Sequence, residues 1–195
     1  MGAMRFLMII LLLAGFQVVR AAESPNILLI VTDEHNFRTL GCYRDHLPKE
    51  QAEMWGPGVI VQTPHIDRLA REGVICTRAY ATAPVCSPCR AAMITGLYPQ
   101  NTGVPTNNYK LRTDIPTLAS ILNKSGYETG FIGKWHLGAN YPYRPQDRGF
   151  QETLHHPAWG ITSLADHFGN SYWDPWLQHN GVEKRYEGYC TDIFF

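Results

Sequence analysis

The sequence has no excess of charge of either sign, because 17 lysines and arginines balance 17 aspartates and glutamates. A chain with a formal net charge of zero has no overall field that attracts nucleic acid or an anionic membrane surface. We therefore expect no nucleic-acid partner. Function must come from local groups of residues, and a 12% aromatic content with eight histidines makes such groups available.

The chain also has no apolar run of the about twenty residues that a membrane-spanning helix needs. The apolar run at residues 6–16 is much shorter, follows Arg5 and leads to the small residues Ala21 and Ala22. One positive charge, a short apolar core and a small-residue exit are typical of a secretory signal peptide. We predict a signal peptide over residues 1–22, export to the periplasm or the exterior, and no stable membrane anchor; an uncleaved anchor is the alternative.

Cysteine is present in an odd number, and its spacing excludes few functions by itself. Five cysteines leave at least one unpaired in an oxidising compartment. Cys86 and Cys89 have no second pair at zinc-site spacing, which argues against a zinc site. Val85 stands where a thioredoxin-like redox motif would have an aromatic residue. From these residues alone, a structural disulfide and a dithiol pair both stay open.

The order of apolar runs and turn residues indicates an α/β protein. The run at residues 26–31 is unbroken, as in a strand buried on both faces of a parallel sheet. Proline and glycine at either end predict a helix over residues 63–73. The further predictions are a strand over 74–80, a helix from Cys86, a helix over 115–126, a strand over 127–133 and ordered loops over 139–188. This order predicts a mostly parallel sheet sandwiched by helices.

Three short segments carry candidate chemistry. The first is Cys86-Ser87-Pro88-Cys89-Arg90, in which Pro88 suits the first turn of a helix, so that Cys86 lies at a helix N-terminus that favours anions. Arg90, about one turn on, can face the same anion.

The second segment is Asp33-Glu34, two carboxylates at a predicted strand end. They suit Ca²⁺ or Mg²⁺ unless they form a solvated turn. The third is Lys134-Trp135-His136, where a cation and an imidazole lie two residues apart, on one side if the strand continues.

Together these segments resemble the formylglycine-dependent (type I) sulfatases. Residues 86–99 resemble the family's first signature, residues 126–138 its second, and residues 26–34 its metal-binding first strand. The resemblance runs from about Asn26 to the end of the chain. It implies the alkaline-phosphatase-like sulfatase fold, here as the N-terminal part of a catalytic domain over residues 23–195 that is incomplete at its C-terminus.

The resemblance also implies a mechanism. Cys86 is oxidised to formylglycine by a formylglycine-generating enzyme, and the hydrated aldehyde attacks the sulfur of a sulfated small molecule or polysaccharide. Arg90, Lys134 and His136 are the further catalytic residues that it implies. Asp33, Glu34 and the converted Cys86 are its implied ligands for Ca²⁺ or Mg²⁺. The family's remaining ligands and its leaving-group histidine come later in the chain, so we expect residues 1–195 alone to be inactive.

Two residues depart from the family pattern. Glu34 stands where aspartate is usual, and Cys89 stands where serine or alanine is commoner, which permits a competing disulfide with Cys86. The alternatives are a phosphodiester or phosphonate monoester hydrolase of the same superfamily, a non-catalytic sulfate-binding relative, and an exported dithiol oxidoreductase that uses Cys86 and Cys89.

Overall fold

The computed structural model describes residues 24–195, so the predicted signal peptide lies outside the described residues. The chain divides into a first compact unit that ends at Thr77 and a second that spans Arg78–Phe195. In the described part of the chain, no helix is both long and apolar enough to cross a membrane.

The first unit is built on three helices, of which the last was predicted. A 3₁₀ turn over Phe37–Thr39 precedes α1 (Gly41–Arg44), α2 (Lys49–Ala52) and α3 (Pro64–Glu72). Proline occupies the first position of α3 and Gly73 ends it, as the sequence predicts. Thr63 does not cap α3; its hydroxyl accepts from the Gly41 N–H at 2.8 Å and so joins α1 to α3.

The predicted strands over 26–31 and 74–80 are both absent, so both predictions are wrong. Residues 26–31 have no regular secondary structure, and Leu28 is 85% exposed. Residues 74–80 likewise form no strand, and Val74 is exposed. An apolar run becomes a buried strand only when neighbouring strands complete its hydrogen bonds. No other strand pairs with either run among residues 24–195.

The second unit begins with three helices: α4 (Cys86–Thr95), α5 (Pro99–Thr102) and α6 (Leu118–Lys124). Helices α4 and α6 lie close to their predicted positions, whereas α5 was not predicted. Helix α4 ends at Gly96, whose positive φ of 70° lets its N–H reach the Ala92 carbonyl. Helix α6 starts later than predicted, because the Thr117 and Ser120 side chains form a reciprocal cap there.

The sheet contains four strands in the order β1-β2-β3-β4: β1 (Gly130–Lys134), β2 (Glu152–His156), β3 (Trp176–His179) and β4 (Val182–Arg185). Strands β1 and β2 are parallel, and the other two pairs are antiparallel. A 3₁₀ turn over Pro145–Arg148 lies between β1 and β2. The α/β class is confirmed as a partial mixed sheet with helices, but the prediction of loops throughout 139–188 is wrong, because β2, β3 and β4 lie there.

Apolar side chains pack on both faces of this sheet. One cluster joins α4 to the end of β1 through Ala91, Ile94, Val104, Leu111, Trp135 and Leu137. The other contains Ile161, Leu177 and Cys190, with Phe194 packed against it from α7 (Cys190–Phe194). Helix α4 is therefore fixed against the end of the sheet, and this packing also fixes the position of the residues at its N-terminus.

Candidate active site

The N-terminus of α4 presents the predicted nucleophile. Cys86 is the first residue of the helix and is half-buried, whereas Ser87 and Pro88 are buried. Its position adjoins the helix N–H groups that have no partner within the helix and that favour negative charge. Cys89 lies in the same turn. None of the five cysteines, all within the described residues, forms a disulfide in the structure.

Two hydrogen bonds tie this helix to the residues that follow β1. The Ser87 hydroxyl donates to the His136 carbonyl at 2.9 Å, and this bond is buried. The Arg90 guanidinium donates through Nη1 to the Lys134 carbonyl at 2.7 Å. The helix N-terminus, with Cys86, is thus held at the carboxyl end of β1, so that Cys86, Arg90, Lys134 and His136 lie in one region.

The backbone turns after Lys134, so the predicted extension does not continue to His136. His136 has a φ of 58° and donates its N–H to the Pro157 carbonyl at 3.2 Å. Trp135, between the two, is 1% exposed and donates its indole N–H to the Tyr143 carbonyl at 2.8 Å. His136 is itself buried. Lys134 and His136 are therefore not related by the two-residue alternation of a strand. Their positions are fixed by the hydrogen bond of Trp135 and by the turn at His136.

Sequence reasoning missed His156, which lies at the same edge of the sheet. In the parallel register of β1 and β2, Lys134 pairs with His156, and the Trp135 N–H donates to the His156 carbonyl at 3.2 Å. Burial, and then the positive charges of Lys134 and Arg90, lower the pKa of His156 to about 4. The imidazole is therefore neutral at pH 7. No sequence motif marks it, since its position depends on the register of strands more than twenty residues apart.

His155 belongs to the opposite face of the sheet. It is 1% exposed, and its ring lies 6.5 Å from the Phe131 ring in an edge-on arrangement. Burial lowers the pKa of His155 to about 4, although the neighbouring His156 backbone acts in the opposite direction. Neither ring nitrogen makes a hydrogen bond of good geometry among residues 24–195. A buried polar group without a partner is uncommon in native proteins and costs stability.

The predicted carboxylate pair lies in the other unit of the chain. Asp33 and Glu34 are exposed, and Glu34 has a φ of 52°. Beside them, the His35 ring and the Thr39 hydroxyl form a hydrogen bond of 2.8 Å. Within residues 24–195, no group of three or more His, Cys, Asp and Glu side chains is arranged to hold a metal ion. The second unit thus brings together four predicted site residues, while Asp33 and Glu34 belong to the first.

The second unit therefore has the form of an anion site with a nucleophile: a thiol at a helix N-terminus, an arginine and a lysine, and buried imidazoles at the carboxyl end of a strand. In α/β folds this edge of the sheet is where ligands bind. Comparison with known proteins places the chain more narrowly. Residues 25–193 match the sulfatase family model, and the chain belongs to the sulfatase family.

Curated relatives agree with this assignment. The chain is 31% identical over 171 residues to an N-acetylglucosamine-6-O-sulfatase of Bacteroides thetaiotaomicron, which covers 88% of this chain and 26% of that protein. It is 35% identical over 164 residues to the steryl-sulfatase of Rattus norvegicus, covering 75% of this chain and 26% of the relative. The chain thus spans about a quarter of the length of these relatives.

A solved structure gives the same result for the fold. A protein whose structure was solved in complex with its substrate D-glucosamine-2-N,6-O-disulfate superimposes with a TM-score of 0.66 at 30% identity, covering 87% of this chain and 29% of that one. The resemblance found in the sequence is confirmed, and with it the fold family.

Proposed function

We propose that this chain carries the nucleophile of an enzyme that hydrolyses sulfate esters, with Cys86 converted to formylglycine. The observation that carries the proposal is the pair of bonds from Ser87 and Arg90 to the carbonyls of His136 and Lys134. These bonds hold the helix N-terminus, the thiol and two cations at one edge of the sheet. Membership of the sulfatase family supports the reaction class.

The cations have a direct role at a sulfate group. A sulfate ester presents oxygens whose negative charge grows as the sulfur–oxygen bond breaks. Arg90 and Lys134 lie beside the N-terminus of α4, and all three favour an anion. The Arg90 guanidinium carries five N–H groups in a planar fork, a geometry that suits the oxygens of a sulfate group. We assign sulfate binding to this pair.

His136 is the candidate for proton transfer. It is buried and adjacent to the Ser87 anchor, so its backbone is held relative to Cys86. A histidine within reach of a reacting hydroxyl can accept its proton. The formylglycine made from Cys86 supplies the hydroxyl nucleophile once hydrated. One hydroxyl of the hydrate attacks the sulfur, and we assign to His136 the removal of the proton from the second hydroxyl, the step that expels sulfate and restores the aldehyde.

A divalent cation, Ca²⁺ or Mg²⁺, is part of the proposal. Hard carboxylate oxygens fit either cation, so Asp33 and Glu34 are the residues of this chain that would hold it, together with the converted Cys86. Ca²⁺ takes six to eight oxygen ligands, so these groups supply part of a coordination shell. When bound, the cation would stabilise negative charge on the sulfonyl oxygens.

The substrate class we propose is a sulfated small molecule or polysaccharide. The relatives named above act, by name, on a sulfated amino sugar and on sulfated sterols. Formylglycine must be made after synthesis, so a formylglycine-generating enzyme is the proposed partner in maturation. Together with the predicted signal peptide, this makes a periplasmic or secreted enzyme our proposal.

Matched cysteine variants test the function. In the full-length protein, Cys86→Ala should abolish sulfate release from an aryl sulfate, because the nucleophile precursor is gone, whereas Cys89→Ala should retain most of it. Both proteins should keep the wild-type circular dichroism spectrum. Substantial sulfate release by Cys86→Ala would contradict the assignment, and equal loss in both variants would favour a dithiol mechanism.

A further inference from the structure

A histidine that the proposed mechanism does not use lies beside its lysine. His156 is the direct partner of Lys134 in the β1–β2 ladder. Strands in a sheet are about 4.8 Å apart, and directly paired residues project their side chains from the same face. The His156 ring therefore lies on the Lys134 side of the sheet, at the edge where Arg90 is anchored.

The ring is fixed in place but incompletely bonded. It is 8% exposed and stacks on the Phe194 ring of α7, with a centroid distance of 6.3 Å and an interplanar angle of 28°. Its Nδ1 atom is buried and makes no hydrogen bond of good geometry among the described residues, although the Ala158 backbone lies close enough to the ring to raise the pKa. A buried nitrogen without a partner is costly, so such an atom at an active-site edge calls for a partner in the working enzyme.

The charged groups near His156 determine which kind of hydrogen-bond partner suits its Nδ1 atom. With a pKa lowered to about 4, the ring is neutral at pH 7 and carries one lone pair. The positive charges of Lys134 and Arg90 favour the tautomer whose lone pair faces them. A lone pair facing a sulfate oxygen would be repelled, whereas an ammonium group offers three N–H donors.

We propose that His156 is a positioning residue whose Nδ1 accepts one N–H of the Lys134 ammonium when an anion is bound. This bond orients the Lys134 ammonium group relative to the anion. The inference rests on the proposed sulfatase function, in which Lys134 binds the sulfate group. Phe194 contributes by holding the imidazole plane.

A double-mutant cycle tests this coupling. His156→Phe keeps a ring for the Phe194 stack but removes the acceptor, and His156→Asn keeps an acceptor near the Nδ1 position. On an aryl sulfate we expect His156→Phe to lose about 10- to 100-fold in kcat/KM, the value of a hydrogen bond to a charged group. His156→Asn should retain most of kcat/KM. In a Lys134→Met background, His156→Phe should cause little further loss.

Independent, multiplying losses from Lys134→Met and His156→Phe would overturn the proposal, as would equal losses in the Phe and Asn variants. His155→Phe, a substitution on the opposite face, controls for general damage to β2 and should leave kcat/KM unchanged. The same cycle is measured on inorganic sulfate binding by calorimetry. All kinetic measurements use the full-length protein. If the full-length wild-type protein releases no sulfate from esters, the proposed function fails, and the sulfate-binding cycle still decides whether His156 and Lys134 are coupled.

Discussion

The buried His155 should make the protein sensitive to mild acid, and the effect can be isolated with one substitution. In the unfolded chain the imidazole titrates at its ordinary value of 6.5, whereas burial lowers the pKa of His155 in the folded protein to about 4. Between pH 6.5 and about pH 4, the unfolded state therefore binds more protons than the folded state. The stability is therefore constant above pH 6.5, falls as the pH drops from 6.5 to 4, and loses nothing more from this group below 4.

The size of the loss follows from the difference between the two pKa values. One pKa unit corresponds to 1.36 kcal/mol, so the shift of His155 amounts to about 3 kcal/mol of unfolding free energy. Native domains are stable by only about 5–15 kcal/mol, so this loss is large. His155→Phe removes the titrating group and the two nitrogens without partners, and places another aromatic ring beside Phe131.

Urea unfolding of the wild-type protein and His155→Phe at several pH values between 7.5 and 4 measures the effect. As the pH falls from 7.5 to 4, the unfolding free energy of His155→Phe should rise by about 3 kcal/mol relative to that of the wild-type protein. Any cost of fitting the larger ring is the same at every pH and does not affect this comparison. His156, whose pKa is also lowered to about 4, is present in both proteins, and only the part of its shift that comes from the charge of His155 differs between them. A stability difference that stays constant from pH 7.5 to 4 would refute the reasoning.

Three further predictions follow from single contacts or ligands. Ser87→Ala deletes the buried bond to the His136 carbonyl, so it should lower the unfolding free energy by about 1–3 kcal/mol and reduce kcat for an aryl sulfate. Unchanged values of both quantities would show that the bond does not hold α4 in place. Gly181→Ala, at a φ of 81° between β3 and β4, should cost about 1 kcal/mol in thermal unfolding, and a stabilised variant would be contrary to the turn geometry. Chelation should abolish sulfate release and added Ca²⁺ or Mg²⁺ restore it, with Asp33→Ala unresponsive; full activity after exhaustive chelation would remove the metal from the mechanism.

Sequence patterns predicted the parts of this structure that depend on local chemistry. The helices at Pro64 and Cys86 are marked by proline near the start and glycine at the end, because these residues act on the backbone at their own position. The site residues of α4 and β1 were found because they lie in short motifs. Their proximity depends on the Ser87 and Arg90 bonds, which no motif describes.

Features that depend on distant partners were not predictable in the same way. The apolar run at 26–31 has the composition of a buried strand, but a strand also requires neighbours, and this chain spans only about a quarter of the length of its curated relatives. His156 acquires its place through the register with Lys134. The hairpin of β3 and β4 is different, because Asn180-Gly181, both with positive φ, is a local turn signal that can be recognised in the sequence.

The conversion of Cys86 is the central claim, and the mass of the peptide that contains it is the most direct test. The protein is produced together with a formylglycine-generating enzyme, digested without reduction and analysed by mass spectrometry. We predict a Cys86 peptide lighter by about 18 Da than the unmodified thiol form, as an aldehyde requires, and a loss of this change in Cys86→Ala. A peptide lighter by about 2 Da, the signature of a disulfide between Cys86 and Cys89, or an unmodified thiol in active protein, would contradict the account.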